Sequence, residues 1–273
     1  MSVRTNLIQL SLVVLPLLAV AQPKQLITSA RLDDSVQQSD KGRKTTGQNQ
    51  PAIEQAPDAA GTDAADNSSG GPVNVLPLFG ERPKTATQID EEIHFLNDCD
   101  RNFSNRTEAS DFFAARGWDY VADGQLDTAT HRFNLSWLLN DRNADAFWGL
   151  GVVTYQKNDL PGAIRLLKKG LAVADTNVVL MTDLAALQIK NYQEKKIVTD
   201  LTEAESLLLR TVSISPNSAD SHQKLAVVNF LKADYEKSWG YFHQARTLDL
   251  SVLDFSFLNE LLAKLPDPKG VFK

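Results

Sequence analysis

Residues that form disulfides, metal centres or nucleophilic sites are scarce in this sequence. Cys99 is the single cysteine, so no intramolecular disulfide can form, and we expect it to be a semi-buried apolar residue. The four histidines have neither the close spacing nor the cysteine neighbours of a metal site. Nucleophile elbows, phosphate-binding loops and dinucleotide fingerprints are missing as well. The sequence therefore predicts a protein that is not an enzyme, holds no metal or cofactor, and is stabilised by packing.

The sequence has fewer basic than acidic residues. Lysine and arginine together number 28 against 34 aspartates and glutamates, which gives a formal net charge of −6. Nucleic acids and anionic membranes are polyanions that bind basic surfaces. The charge balance argues against either of them as the main partner.

Long apolar runs are missing apart from one at the N-terminus. Arg4 precedes an apolar stretch from Leu7 to Val20, and the small residues Ala19 and Ala21 match a cleavage site. This pattern is typical of a secretory signal peptide at residues 1–21, cut after Ala21. The run is short for a membrane anchor, because about 14 residues rise roughly 21 Å as a helix and the bilayer core is ~30 Å thick. We predict an exported bacterial protein, periplasmic or secreted, whose mature chain has no membrane span.

Aromatic residues are absent before Phe79, and residues 22–74 are rich in Gln, Asp, Ala, Gly, Ser, Thr and Pro. A stretch with so little to bury cannot offset the loss of chain entropy on folding. It is predicted to be a disordered linker, and its composition fits either a functional spacer or a tolerated tail. Residues 75–104 turn apolar again and predict an N-terminal helical flank whose helix is capped by Thr87. This flank either covers the first of the units that follow or lies along them as a built-in peptide.

The chain then nearly repeats itself after thirty-four residues. The matching positions are Gly117 with Gly151, Ala129 with Ala163, Phe133 with Leu167, and Ser136 with Gly170. Each copy predicts a helix, a short turn and a second helix. Small residues let paired helices approach closely, and the larger Phe133 and Leu167 fill the space at the next crossing. One pair cannot bury such faces alone, so we expect the units to stack.

These residues resemble the pattern of the tetratricopeptide-repeat (TPR) family over about residues 105–250. The resemblance implies an all-α fold, an α-solenoid of about four helix–turn–helix units, closed by a C-terminal capping helix and tail at 251–273. A fourth unit matches the third at the same spacing: Ala204 with Ser238, Leu208 with Phe242, and Thr211 with Ala245. In the third unit Ala185 and Ala204 are seven residues further apart than normal, which predicts an insertion at about 190–203 that lengthens both helices by roughly one turn.

In the resembled family, the first helices of successive units line a concave groove that holds a partner peptide or helix. Projecting the helix periodicity onto this sequence places nine residues in that groove: Trp118, Val121, Trp148, Val152, Tyr155, Thr182, Ile189, Gln223 and Phe230. The predicted groove is apolar and aromatic, and the same residues also suit a helix core.

Two functions fit this groove. The first is an interaction adaptor, or scaffold, that binds a peptide or helix of a protein partner in the cell envelope. The alternative is a structural or self-associating repeat module whose groove is filled by its own flanking helix. The sequence leaves open the identity of the partner, the pathway, and whether the chain forms a homo-oligomer.

Overall fold

The computed structural model describes residues 73–273. The predicted signal peptide and nearly all of the predicted linker lie outside the described residues. Two short 3-10 turns, Val73–Val75 and Pro77–Glu81, precede ten α-helices in the described part: α1 (Ala86–Asn102), α2 (Arg106–Ala122), α3 (Leu126–Leu139), α4 (Ala144–Gln156), α5 (Leu160–Val173), α6 (Val178–Lys195), α7 (Val198–Ile214), α8 (Ala219–Leu231), α9 (Tyr235–Leu248) and α10 (Phe255–Lys264). Residues 73–273 contain no strand.

Helices α2 to α9 form four successive pairs. The pairs are α2 with α3, α4 with α5, α6 with α7, and α8 with α9, and each second helix also contacts the first helix of the next pair. The first helices contact one another as well, α2 against α4 and α6 against α8, so they lie on the inner side of the stack. The predicted all-α solenoid of about four helix–turn–helix units is confirmed.

The small residues of the repeat lie where the helices cross. The four first-helix positions hold Gly117, Gly151, Ala185 and Ala226, and all four are buried. A Cβ added to Gly117 would come within 2.6 Å of the Phe133 ring, and one added to Gly151 within 2.6 Å of Leu167. Carbon atoms in contact are ordinarily about 3.5–4.0 Å apart. The predicted nesting of a small residue against a larger one is therefore present in both units.

Two helices begin at residues other than those predicted, because a different side chain caps them. Thr85, rather than Thr87, forms a capping box with Gln88, so α1 begins at Ala86. The capping helix predicted within 251–273 begins only at Phe255 (α10), because the Asp254 carboxylate accepts hydrogen bonds from the backbone of Ser256 and Phe257 at its start.

The third pair is longer than the second. Helix α6 has 18 residues and α7 has 17, against 13 for α4 and 14 for α5. The extra residues extend both helices by about one turn. Lys196, with φ 57° in the left-handed region, makes the turn between them, and Val198 beside it is 68% exposed.

The flanking helices pack at the two ends of the stack. Near the N-terminus the Phe95 ring of α1 meets Phe113 of α2 at a centroid distance of 5.3 Å, and Cys99 is 1% exposed. Near the C-terminus the Phe257 ring of α10 lies 5.4 Å from Phe230 and 6.0 Å from Phe242. Each flank therefore covers apolar surface that the end unit leaves open.

Candidate functional site: the inner face of the first helices

All nine residues predicted to line the groove lie on first helices. Trp118 and Val121 are on α2, Trp148, Val152 and Tyr155 on α4, Thr182 and Ile189 on α6, and Gln223 and Phe230 on α8. Eight of them are buried, with exposed fractions of 0–6%, and Phe230 alone among the nine is half-buried. Most of the residues predicted to line the groove therefore have almost no solvent-accessible surface.

The two middle first helices are enclosed on every side. All residues from 146 to 155 in α4 are buried, and so are all residues from 180 to 189 in α6. A helix with one side in water keeps a polar, exposed stripe along that side. Here the neighbouring helices leave no such stripe, so in the middle of the array the projected groove residues pack in the core.

A chain of polar and aromatic contacts joins the first helices through this interior. The indole rings of Trp118 and Trp148 meet edge to face at 4.9 Å between centroids. Trp148 in turn donates its Nε1–H to Oδ2 of Asp183, 2.8 Å away on α6. These contacts connect the first helices of three successive units, α2, α4 and α6.

Asp183 is the unusual member of this chain, because it is an acid that is only 7% exposed. Burial raises its pKa well above the ordinary 3.8, and the hydrogen bond from Trp148 and the charge of Lys224 oppose this only in part. Lys224 forms an ion pair with Asp220, one turn earlier on α8. A charged pair, Lys224 and Asp220, therefore lies close to the buried Asp183 where the third and fourth units meet.

Helix α8 keeps a strip of accessible first-helix residues. We name this the α8 strip, and it comprises Asp220, Gln223, Lys224, Val227, Phe230 and Leu231, of which all but Gln223 are half-buried. Gln223 is 6% exposed, and neither its Oε1 nor its Nε2 has a hydrogen-bond partner within the described chain. A buried amide without a partner costs about 1–3 kcal/mol.

Comparison with solved structures agrees with the paired helices. PilF from Pseudomonas aeruginosa superposes with a TM-score of 0.51 and 21% identity, over 60% of this chain and 74% of that one. The thermophilic TPR protein TTC0263 from Thermus thermophilus gives a TM-score of 0.47 and 19% identity, over 59% and 93% of the two chains. YrrB, a TPR protein with an unusual peptide-binding site, gives 0.43 and 18%, over 60% and 80%. No protein-family model and no curated protein matches the sequence.

The fold is that of the tetratricopeptide repeat. In this TPR array the small and large positions of the motif are filled in all four units. The large second-helix residues Phe133, Leu167, Leu208 and Phe242 are each 0% exposed.

Two features of the TPR array were not predicted from the sequence. One is Asp183, which follows the projected groove residue Thr182 and looks like an ordinary polar residue of a helix. The other is Asn134, which is 0% exposed and bonds to backbone sixty residues earlier in the chain. No spacing rule predicts the partner of either side chain, because both contacts depend on how distant elements meet.

Other reactive side chains in the TPR array do not assemble into a site. Within residues 73–273 no group of three or more His, Cys, Asp or Glu side chains is placed to hold a metal ion. Burial raises the pKa of Cys99 to about 11, so its thiol is protonated near neutral pH. Among the described helices none is long and apolar enough to cross a bilayer.

Proposed function

We propose that this chain is a non-catalytic protein-interaction module that binds a peptide or helix of a partner protein at the α8 strip. Gln223 is the observation that carries the proposal. Its amide offers two donors and one acceptor oxygen, and the described chain supplies no partner for it. Both amide atoms are closed off from solvent in the free chain, so the partner segment has to displace the side chains over them to reach the amide. A peptide group presents one donor and one acceptor, which matches such an amide.

The residues around Gln223 define the rest of the ligand. Val227 and Phe230 follow at one and two turns along the same face, and both are half-buried. They suit an apolar side chain of the partner, since burial of apolar area is the main gain in such contacts. Lys224 and Asp220 beside them form an ion pair and suit the polar rim of an interface.

The proposed docking site occupies one end of the predicted groove. Trp148, Tyr155 and their neighbours support the face from within, whereas α8 offers the accessible contacts. A partner segment of roughly three helical turns, about 16 Å long as a helix, suffices to follow α8 from Asp220 to Leu231.

Export to the cell envelope is part of this proposal. The basic residue, apolar run and small residues of positions 1–21 support it, and the partner would then be an envelope protein. The mass of the mature chain, isolated from fractionated cells, tests it. Loss of residues 1–21 is expected, and an intact N-terminus in a cytoplasmic fraction would refute it.

Gln223→Leu tests the docking site. The variant keeps the size of the side chain and removes the amide, so the fold should become more stable while partner binding weakens about tenfold. The partner is first identified by pull-down from the native envelope and mass spectrometry, and affinities are then measured by calorimetry. Gln244→Leu is the matched control, because Gln244 is exposed on α9. Equal affinity of Gln223→Leu and the unaltered chain would overturn the proposal.

The alternative, a groove filled by the chain's own flank, is supported at the end of the α8 strip, where Phe257 of α10 packs against the predicted groove residue Phe230. Helix α1 packs at the outer end of the first unit.

A further inference from the structure

A cavity of about 460 Å³ lies between α1, α3 and residues 73–81. Its wall is largely apolar and contains Phe79, Phe95, Leu135 and Leu138. Ligand sites in proteins usually measure about 300–1,000 Å³ and are lined mostly by apolar and aromatic side chains. The cavity therefore has the size and the lining of a site for apolar side chains.

The cavity is present because the two ends of the array are capped differently. At the C-terminal end, Phe257 of α10 packs against Phe230 and Phe242. At the N-terminal end, α1 meets α2 through Phe95 and Phe113 but makes few contacts with α3, so the space between α1 and α3 stays open. Repeat arrays need terminal caps that cover their end units. Among the described residues, the N-terminal cap is therefore incomplete.

Acidic side chains lie around the cavity. Helix α1 has five acidic residues and one basic residue, and its Glu91 and Asp98 line the cavity and are exposed. Two basic side chains line it as well. Lys84 is paired with Glu92, and Arg132 is only 5% exposed, with its guanidinium over an aromatic ring. The site therefore suits a ligand that combines apolar side chains with positive charge.

The chain that precedes the described residues enters at this cavity. Val73, the first described residue, lines it. Asn134 of α3 fixes the residues that follow, because its Oδ1 accepts from the Leu78 amide at 2.8 Å and its Nδ2 donates to the Leu76 carbonyl at 2.8 Å. Residues 1–72 are thus tethered at the cavity wall. A tethered segment has a high effective concentration at such a site, which favours it over a free ligand.

One stretch of the upstream chain matches the cavity and differs from the rest of the predicted linker. Residues 24–32, which we call the basic segment, contain three of the five Leu, Ile and Val residues between positions 22 and 72: Leu26, Ile27 and Leu32. Its two charged residues, Lys24 and Arg31, are both basic. About 40 residues separate it from Val73, and such a length spans up to roughly 130 Å, so the tether is long enough to reach any part of the cavity.

We propose that the basic segment docks in the cavity between α1 and α3 of its own chain and completes the N-terminal cap. Its leucine and isoleucine side chains cover the apolar wall, and burial of this apolar area drives the docking. Lys24 and Arg31 face the acids of α1, and these charges select the segment and its orientation. Cleavage after Ala21 leaves the segment in the chain. This inference is independent of partner binding at the α8 strip.

Paramagnetic relaxation in the full chain tests the docking. A nitroxide is attached at Ser29→Cys, in the middle of the basic segment, and Cys99→Ala removes the native thiol. Amide signals of Phe95 and Leu138 are expected to broaden at least tenfold more than with the label at Gln50→Cys, which lies outside the segment. No extra broadening around the cavity would overturn the proposal.

Charge reversal on α1 and a mixed sample complete this experiment. Glu91→Lys with Asp98→Lys should reduce the broadening at least fivefold, because both changes repel Lys24 and Arg31. An undiminished effect would contradict the assignment of this segment to the cavity. Broadening that maps to α8, or that appears only between labelled and unlabelled copies, would give the segment a different site or a different chain and would also overturn the proposal.

The labelling rate of Cys99 is a second measurement, and it leaves the cavity unaltered. This thiol is 1% exposed and packs in one cluster with Phe95, so a reagent reaches it only when α1 opens. Leu26→Asp with Ile27→Asp should raise the rate at least fivefold, because α1 loses the segment that holds it to α3. The matched control Ile53→Asp, outside the basic segment, should not change the rate. Equal rates in all three chains would overturn the proposal.

Discussion

Trp148 donates its indole N–H to the buried carboxyl group of Asp183 across 2.8 Å, and this bond joins the first helices of the second and third units. The two residues are thirty-five positions apart, about one repeat, so the bond joins neighbouring units through residues outside the repeat motif. It places an acid in the interior, where the charged form is disfavoured.

Asp183→Asn should stabilise the fold, and more so at high pH. Burial raises the pKa of Asp183 above 3.8, so above that pH the unfolded chain loses a proton that the folded chain retains. The stability of the unaltered protein therefore falls as pH rises through this window. Asparagine does not titrate and still accepts the Trp148 bond through Oδ1.

Urea denaturation at pH 5 and pH 8 measures this effect. We expect a gain of about 1–3 kcal/mol at pH 8 and a smaller gain at pH 5. Asp141→Asn, in an exposed turn, is the control and should leave the pH dependence unchanged. A destabilised Asp183→Asn protein at pH 8 would mean that the carboxylate is charged and well compensated.

The C-terminal tail should show the opposite pH dependence through Asp267. Burial raises the pKa of Asp267, but hydrogen bonds from the backbone of Phe272, Lys269 and Val271 and from His243 lower it to about 2 overall. The stabilisation is therefore complete above pH 3.8 and is lost as the pH falls towards 2. At neutral pH it amounts to about 2 kcal/mol.

Asp267→Asn should accordingly lower the unfolding free energy by about 2 kcal/mol at pH 7, and the deficit should disappear near pH 2. Thermal denaturation across that range provides the measurement. Asp141→Asn again serves as the control. A deficit that persists unchanged at pH 2 would assign it to lost packing rather than to ionisation.

Gly149→Ala and Gly240→Ala should have opposite signs. A Cβ on Gly149 would lie 2.1 Å from the Phe133 ring, which is wedged between α2 and α4, whereas a Cβ on Gly240 meets nothing within 4 Å. Overpacking costs about 1–3 kcal/mol, and alanine in an open helix position gains about 0.5–1 kcal/mol over glycine.

The urea denaturation midpoints of the two variants measure these stability changes, provided that the unfolding free energy depends on urea concentration with the same slope in both. Gly149→Ala is expected below the unaltered protein and Gly240→Ala above it. If both variants gained stability, the Phe133 ring would have room to move and the tight crossing would not be needed.

Asn134→Ala should release residues 73–81 from α3 while the array stays folded. The change removes three hydrogen bonds to backbone, each worth about 0.5–1.5 kcal/mol net. Hydrogen exchange at the Leu78 amide, whose acceptor is lost, should accelerate by at least tenfold, and exchange in α4 should not change. Asn259→Ala on the exposed face of α10 is the control. Unchanged protection at Leu78 would show that the segment is held by its side chains alone.

The periodic features of the fold were predictable from sequence, because short-range rules govern them. Asn105 accepts a hydrogen bond from the Glu108 backbone as its spacing suggests, and Gly117 meets Phe133 because both are fixed by the pairing of adjacent helices. The lengthening of α6 and α7 likewise follows from counting residues.

The site was less predictable, because exposure depends on how the units are set against one another. Periodicity places Val152 on a first helix but carries no information on how tightly neighbouring units close over it. The bonds of Asp183 and Asn134 link elements far apart in the chain, and no spacing rule specifies them. The clearest sequence signal for a distant contact was Asn134, because an asparagine in a packed helix needs hydrogen-bond partners for its amide wherever that amide is buried.

The enclosure of α4 and α6 bears on the order in which the molecule opens. Helices with no face in water lose the most apolar contact when exposed, so amides in the middle of the array should exchange only through global unfolding. Local unfolding is expected to start at α1 and α10, because each of these helices packs against the array on one side only. A partner that binds by opening the array must therefore begin at one of its ends. Residues 73–81 on α3 lie close to one end, and the α8 strip lies close to the other.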